Sequence, residues 1–207
     1  MTVSTPDFSD LDQNIRCTKA DELPIPNDSF WVFGYGSLMW NPGFRFKECH
    51  RATLYGYHRR LCLWSTRYRG DKANPGLVLG LDRGGSCQGF AFLVAKSQAS
   101  TTSSYLYQRE MVNNAYSAEI KSLHLADGRC IPSLTFISKP DHPQFAKRQT
   151  IEDMAWIVYH AKGQRGENRE YVVNCADKLT ELGIHNTQLH KVVRALNKLS
   201  ELSDSPA

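Results

Sequence analysis

Between residues 30 and 138 the chain keeps returning to one pattern, an apolar run followed by a short separator rich in turn residues. Residues 30–38, 52–64, 77–82 and 87–95 have the length and texture of strands. Their separators include Arg69-Gly70-Asp71, Asn74-Pro75-Gly76 and Arg83-Gly84-Gly85-Ser86, the chemistry of turns and loops. Residues 98–112 then read as a helix with Ser and Thr available to cap it. Two further strands, 116–125 and 129–138, flank the turn Asp127-Gly128.

After residue 150 the period changes from strand to helix. Ile151, Met154, Ala155 and Val158 form one stripe, and Tyr171, Cys175, Leu179 and Leu182 a second. Leu189, Val192, Val193 and Leu196 form a third, and each stripe is read as a core-facing side. The fold class is therefore α+β: a mixed sheet or small barrel, one inserted helix and a C-terminal helical segment. Residues 1–28 read as a loosely ordered N-terminal extension and residues 29–200 as the domain.

Composition narrows the function classes. A net charge of +4 without a Lys/Arg block admits a small anionic substrate and does not call for nucleic acid. No run approaches ~18 apolar residues, so no membrane partner is expected. The polar, acidic start MTVSTPDFSDLDQN is unlike a secretory leader, and a cytoplasmic location is expected. Six cysteines occur without a C-x-x-C pair and read as free thiols in a reducing compartment. Seven histidines occur without metal-ligand spacing, so no metal is expected.

The segment WVFGYGSLMWNPG, residues 31–43, leaves a strand through Gly34-Tyr35-Gly36-Ser37. Met39 stands where a dinucleotide fingerprint needs its third glycine. Ser37 does not sit between glycines as a nucleophile elbow requires. Two readings stay open: a tight strand exit, or a concave row of N–H groups for an anion or oxyanion. If Gly36 has positive φ, a methyl there is expected to distort the turn. Glu110 shares its helix side with Leu106 and Tyr107, the side expected to face the sheet. Burial there and the C-terminal end of the helix dipole both push its carboxyl toward protonation. An ion pair with Arg109 or another basic residue is the structural alternative.

Taken in order, VFGYGSLMWNPGF, GLVLGLDRGGSCQG, YLYQREMVNNAY, HPQF and NREYVVN resemble the ChaC-type gamma-glutamylcyclotransferases from about residue 30 to 199. The resemblance implies a compact β-barrel with surrounding helices and cofactor-free conversion of glutathione to 5-oxoproline and cysteinylglycine. It implies that Tyr35, Gly36, Ser37 and Leu38 cradle the substrate and that Glu110 is catalytic. It further implies that Arg69 and Tyr171 contact substrate. Where eukaryotic relatives often carry a glycine pair after the glutamate motif, this chain has Val112-Asn113-Asn114-Ala115. Asparagine tolerates the left-handed conformation, so the helix exit is expected to survive.

This chemistry suits a site with no serine or cysteine nucleophile, because a γ-glutamyl group carries its own nucleophile, the α-amine. Two other expectations stand beside it: a cyclotransferase for other γ-glutamyl amino acids or amines, and a non-catalytic γ-glutamyl-binding regulator.

Overall fold

The computed structural model describes residues 28–111 and 113–204, together with residues 3, 5, 6, 8 and 23–25. The greater part of the expected 1–28 extension, with Cys17, lies outside the described residues. The described residues form two compact units. One comprises residues 23–25, 28–59, 80–111 and 113–142, the other residues 3, 5, 6, 8, 60–79 and 143–204.

The first unit holds the barrel. Its elements are β1 (Phe30–Gly34), β2 (Glu48–Ser65), β3 (Gly76–Val94), α1 (Ala99–Glu110), β4 (Tyr116–Leu125) and β5 (Cys130–Ser138), with β2 and β3 running on into the second unit. The strands close in the order β1-β3-β2-β4-β5. β1 is antiparallel to β3, with Phe33 opposite Ala91, and parallel to β5, with Val32 opposite Leu134. This central strand is apolar on both faces because both are covered. Phe33 packs in a cluster with Leu54, Leu81, Leu123 and Ile137. Val32 packs in another with Leu106 of α1, Leu134 and Phe136. Burying a side chain of this size contributes about 1.5–3 kcal/mol.

Three sequence expectations change. The runs 77–82 and 87–95 are one strand, β3. Gly84 and Gly85, at φ +95° and +68°, kink it without ending it, and His58 Nδ1 donates to Gly84 O at 2.9 Å. β1 stops at Gly34 because Ser37–Met39 winds into a short 3₁₀ turn. α1 starts from Gln98 with no side-chain cap; a 3₁₀ turn, Lys96–Gln98, leads into it instead. The α1 exit survives as expected: Asn114 has φ +52°, and its Oδ1 accepts from Lys139 Nζ at 2.7 Å.

The second unit contains α2 (Ile151–His160), α3 (Asn168–Glu181) and α4 (Thr187–Asp204), each packed on the other two. The small hairpin of β6 (Lys162–Gly163) and β7 (Gly166–Glu167) precedes α3. Thr150 caps α2, its Oγ1 accepting from Asp153 N–H at 3.0 Å. Met154, Ala155 and Val158 are buried as their stripe requires, as are Leu189, Val192 and Leu196. In α3 the buried stripe is Val172, Cys175, Ala176 and Leu179, so Tyr171 flanks the core and is only half-buried. Asn168, with no exposed surface, holds the main chain of Leu77: it accepts from the N–H at 2.7 Å and donates to the carbonyl at 2.8 Å. Phe8 is buried with its ring edge-on to Trp64. Among the described residues five cysteines are free thiols, with Cys62, Cys87 and Cys175 buried. No helix among them is long and apolar enough to cross a membrane.

Candidate active site

The barrel unit holds Tyr35, Gly36, Ser37, Leu38 and Glu110, with Ser37 and Glu110 joined through Arg109. Tyr35 follows the end of β1 with its ring buried, and its Oη donates to Phe136 O at 2.8 Å. Its side chain is therefore committed to the core, in the cluster of Phe33 and Leu54. Arg59 of β2, 6% exposed, holds the main chain there: Nε donates to Tyr35 O and Nη2 to Gln88 O at 2.5 Å. A guanidinium on a peptide carbonyl draws electron density from the amide, which makes the following N–H, that of Gly36, a stronger donor.

From Gly36 the backbone turns at once. Met39 N–H reaches Gly36 O at 2.9 Å, and Asn41 N–H reaches Ser37 O at 2.8 Å. The N–H groups of Gly36, Ser37 and Leu38 precede the first intrahelical donor, so the turn itself supplies them no acceptor. Leu38 is buried in the cluster with Leu106 and anchors the segment. Gly36 has φ −126°, and a β-carbon there would meet nothing within 4 Å. The condition that would have made a methyl at Gly36 disruptive does not hold. Gly43, by contrast, is constrained: it has φ +74°, and a β-carbon there would fall 1.9 Å from Tyr105 Oη.

Glu110 ends α1, on the side of buried Leu106, with 17% of its side chain exposed. Burial pushes its carboxyl above the usual glutamate range, against the opposing pull of Arg109. The ion pair that was the alternative reading is also present, Arg109 Nε to Glu110 Oε1 at 3.1 Å. Desolvation outweighs it, so the paired carboxyl still binds a proton more tightly than an ordinary glutamate.

Arg109 does more than pair. Its Nη2 donates to Ser37 Oγ at 2.7 Å, and its Nη1 to Asn41 O at 2.8 Å, Pro42 O at 3.3 Å and Tyr105 Oη at 2.6 Å. Spacing points to Arg109 only as an ion-pair partner of Glu110, and to neither Arg59 nor Tyr105. A signal for Arg59 was present: an arginine pair, Arg59-Arg60, opening the apolar stretch Leu61-Cys62-Leu63-Trp64.

Arg69 and Tyr171 fall in the other unit, where they meet each other. The Arg69 guanidinium lies 5.6 Å from the Tyr171 ring centroid. Its Nη1 donates to Glu167 O at 3.1 Å and pairs with Glu170 at 3.3 Å, while Tyr171 Oη accepts from Leu79 N–H at 3.1 Å. Among the described residues no group of three or more His, Cys, Asp or Glu side chains is arranged to hold a metal ion.

The family model described as ChaC-like protein matches residues 30–199. A glutathione-specific gamma-glutamylcyclotransferase of Escherichia coli (strain K12) is 34% identical, over 87% of this chain and 76% of its own. One from Schizosaccharomyces pombe is 31% identical, over 80% and 90%. In fold, the chain resembles the crystal structure of a yeast gamma-glutamyl cyclotransferase specific to glutathione. The TM-score is 0.75 at 22% identity, over 83% of this chain and 96% of that one.

Proposed function

The chain belongs to the ChaC family, and from that premise we propose that it degrades glutathione by cyclising the γ-glutamyl group, releasing 5-oxoproline and cysteinylglycine. One observation carries the reading to particular residues: a desolvated carboxyl, Glu110, tied through Arg109 to a turn that presents the N–H groups of residues 36–38.

The reaction needs the substrate folded so that its α-nitrogen meets its γ-carbonyl carbon, and such orientation supplies roughly 7–11 kcal/mol of a barrier. The α-ammonium sheds one proton before it can attack and a second as the ring closes. Glu110 as carboxylate takes a proton from this nitrogen. As the resulting acid it protonates the nitrogen whose bond to the γ-carbonyl carbon breaks, leaving one proton to solvent. Such transfer is worth about 10²–10⁴-fold. The N–H groups of the 35–38 segment bind the substrate carboxylate or the oxyanion, a contribution on the order of 3–4 kcal/mol where one such donor is lost.

Arg69 and Tyr171 are further substrate contacts on the family resemblance, with the Arg69–Tyr171 stack supporting their acting as a pair. Residues 29–200 are the gamma-glutamylcyclotransferase-like domain in this reading. The cytoplasm is its location, in keeping with five free thiols among the described residues.

The test is product analysis of purified protein with glutathione beside folded Glu110→Gln. Both products from wild type and none from the variant support the reading. Wild type silent on glutathione but active on other γ-glutamyl compounds narrows the error to the leaving group. Silence on all of them overturns catalysis.

A further inference from the structure

We propose that Arg109 is a positioning residue, one guanidinium that holds the substrate-binding turn and the proton-moving carboxylate in a single register. The proposal rests on the reading of Glu110 as the proton shuttle. Its ground is the division of labour around the fork. Nε faces Glu110 Oε1 at 3.1 Å, Nη2 faces Ser37 Oγ at 2.7 Å, and Nη1 faces the carbonyls of Asn41 and Pro42 and the phenol of Tyr105. Ser37 opens the 3₁₀ turn, and Asn41 and Pro42 lead out of it, so both ends of the turn are fastened to the residue next to Glu110.

Lysine cannot reproduce this. A single ammonium has three donors radiating from one atom, whereas arginine spreads five over a rigid plane wide enough to reach two segments at once. Side chains 20% and 17% exposed for Arg109 and Glu110 keep water from substituting freely for the contacts.

Two separable consequences follow. Geometry depends on the fork, and a displacement of about 1 Å in such a site costs on the order of 10²-fold. Protonation depends on the charge, because Arg109 opposes the upward push of burial on Glu110. Other charged and titratable groups of this unit near the turn and the α1 exit have different attachments. Tyr105 accepts from Arg109, Arg59 is bonded to Tyr35 O and Gln88 O, and Lys139 is bonded to Asn114. His142 lies beside Lys139 and Asn113.

Arg109→Lys and Arg109→Gln in the full chain, assayed from mildly acidic to mildly alkaline pH, separate the two. Arg109→Lys keeps the charge: kcat/KM is expected to fall about 10²-fold, with the acidic limb of the kcat profile unmoved. Arg109→Gln is expected to lose at least as much, and its acidic limb to move to higher pH, since Glu110 then faces desolvation alone. Wild-type kcat/KM in Arg109→Lys, or a wild-type acidic limb in Arg109→Gln, overturns the proposal. If Arg109→Gln does not fold, Arg109→Lys decides alone. Activity in Glu110→Gln strikes the underlying reading instead, whatever the arginine variants do.

Discussion

The phenol oxygen of Tyr105 stands 1.9 Å from the place a β-carbon would take at Gly43, and Gly43 has φ +74°. The same oxygen accepts from Arg109 at 2.6 Å, so the closeness of Gly43 to Tyr105 belongs to the lattice of contacts that secures residues 37–43. Gly43→Ala therefore meets two obstacles, the left-handed backbone and the phenol. It should destabilise the protein by about 1–3 kcal/mol. Adding Tyr105→Ala should recover the steric share and leave the backbone share. A urea denaturation cycle on the four proteins checks this, and strict additivity would show that the two residues do not collide.

Glu110 links stability to pH with a definite sign. Its carboxyl is raised in the folded protein by burial, against Arg109. The folded state thus holds the proton more tightly than the unfolded chain, and stability falls as pH rises from the ordinary glutamate range through the raised value. Glu110→Gln lacks that titration. The stability of wild type relative to Glu110→Gln should decline over this window and then level off. Urea midpoints of both proteins between roughly pH 4 and 8 test it; a constant difference would contradict the raised carboxyl.

Arg59 should prove as sensitive as a core residue although it is charged. It donates to the carbonyls of Tyr35 and Gln88 with 6% of its surface exposed. Arg59→Met withdraws both donors, at about 1–3 kcal/mol for each carbonyl left unsatisfied. It also frees the Tyr35–Gly36 peptide, so turnover should fall even where the variant is folded. A variant with wild-type melting and wild-type kcat/KM would show that the guanidinium holds nothing of consequence.

Asn168 offers a stability test in the other unit. Its amide answers both main-chain groups of Leu77. Asn168→Asp keeps the acceptor and turns the donor into a second oxygen facing Leu77 O, a loss of about 1–3 kcal/mol. Asn168→Ala should cost a similar amount. Thermal melts distinguish these from a surface position, where neither change would register.

Much of the architecture was written in short-range pattern. β4 and β5 begin and end within a residue of their turn signals, and the stripes through Met154 and Val158 and through Leu189, Val192 and Leu196 are buried. Glu110 shares a helix side with Leu106, as spacing alone requires, and Asn114 takes the left-handed turn that its side chain tolerates. Such features follow from period and from residue-level φ preference, which act over a few positions. The Gly84-Gly85 pair misled because the same two residues can end a strand or bend it, and only the neighbouring strands decide which.

Only tertiary structure decided what the site is made of. Arg109 and Ser37 are 72 positions apart, Arg59 and Tyr35 are 24 apart, and nothing local foretells that either pair will meet. Gly36 is unconstrained while Gly43 is tightly held, because Tyr105 approaches only the latter. Glu110 keeps a raised carboxyl beside a cation because desolvation, a property of the whole fold around it, exceeds one near charge. Sequence periodicity determines which face of each element is apolar; hydrogen-bond partners and solvent exclusion exist only once the barrel has closed.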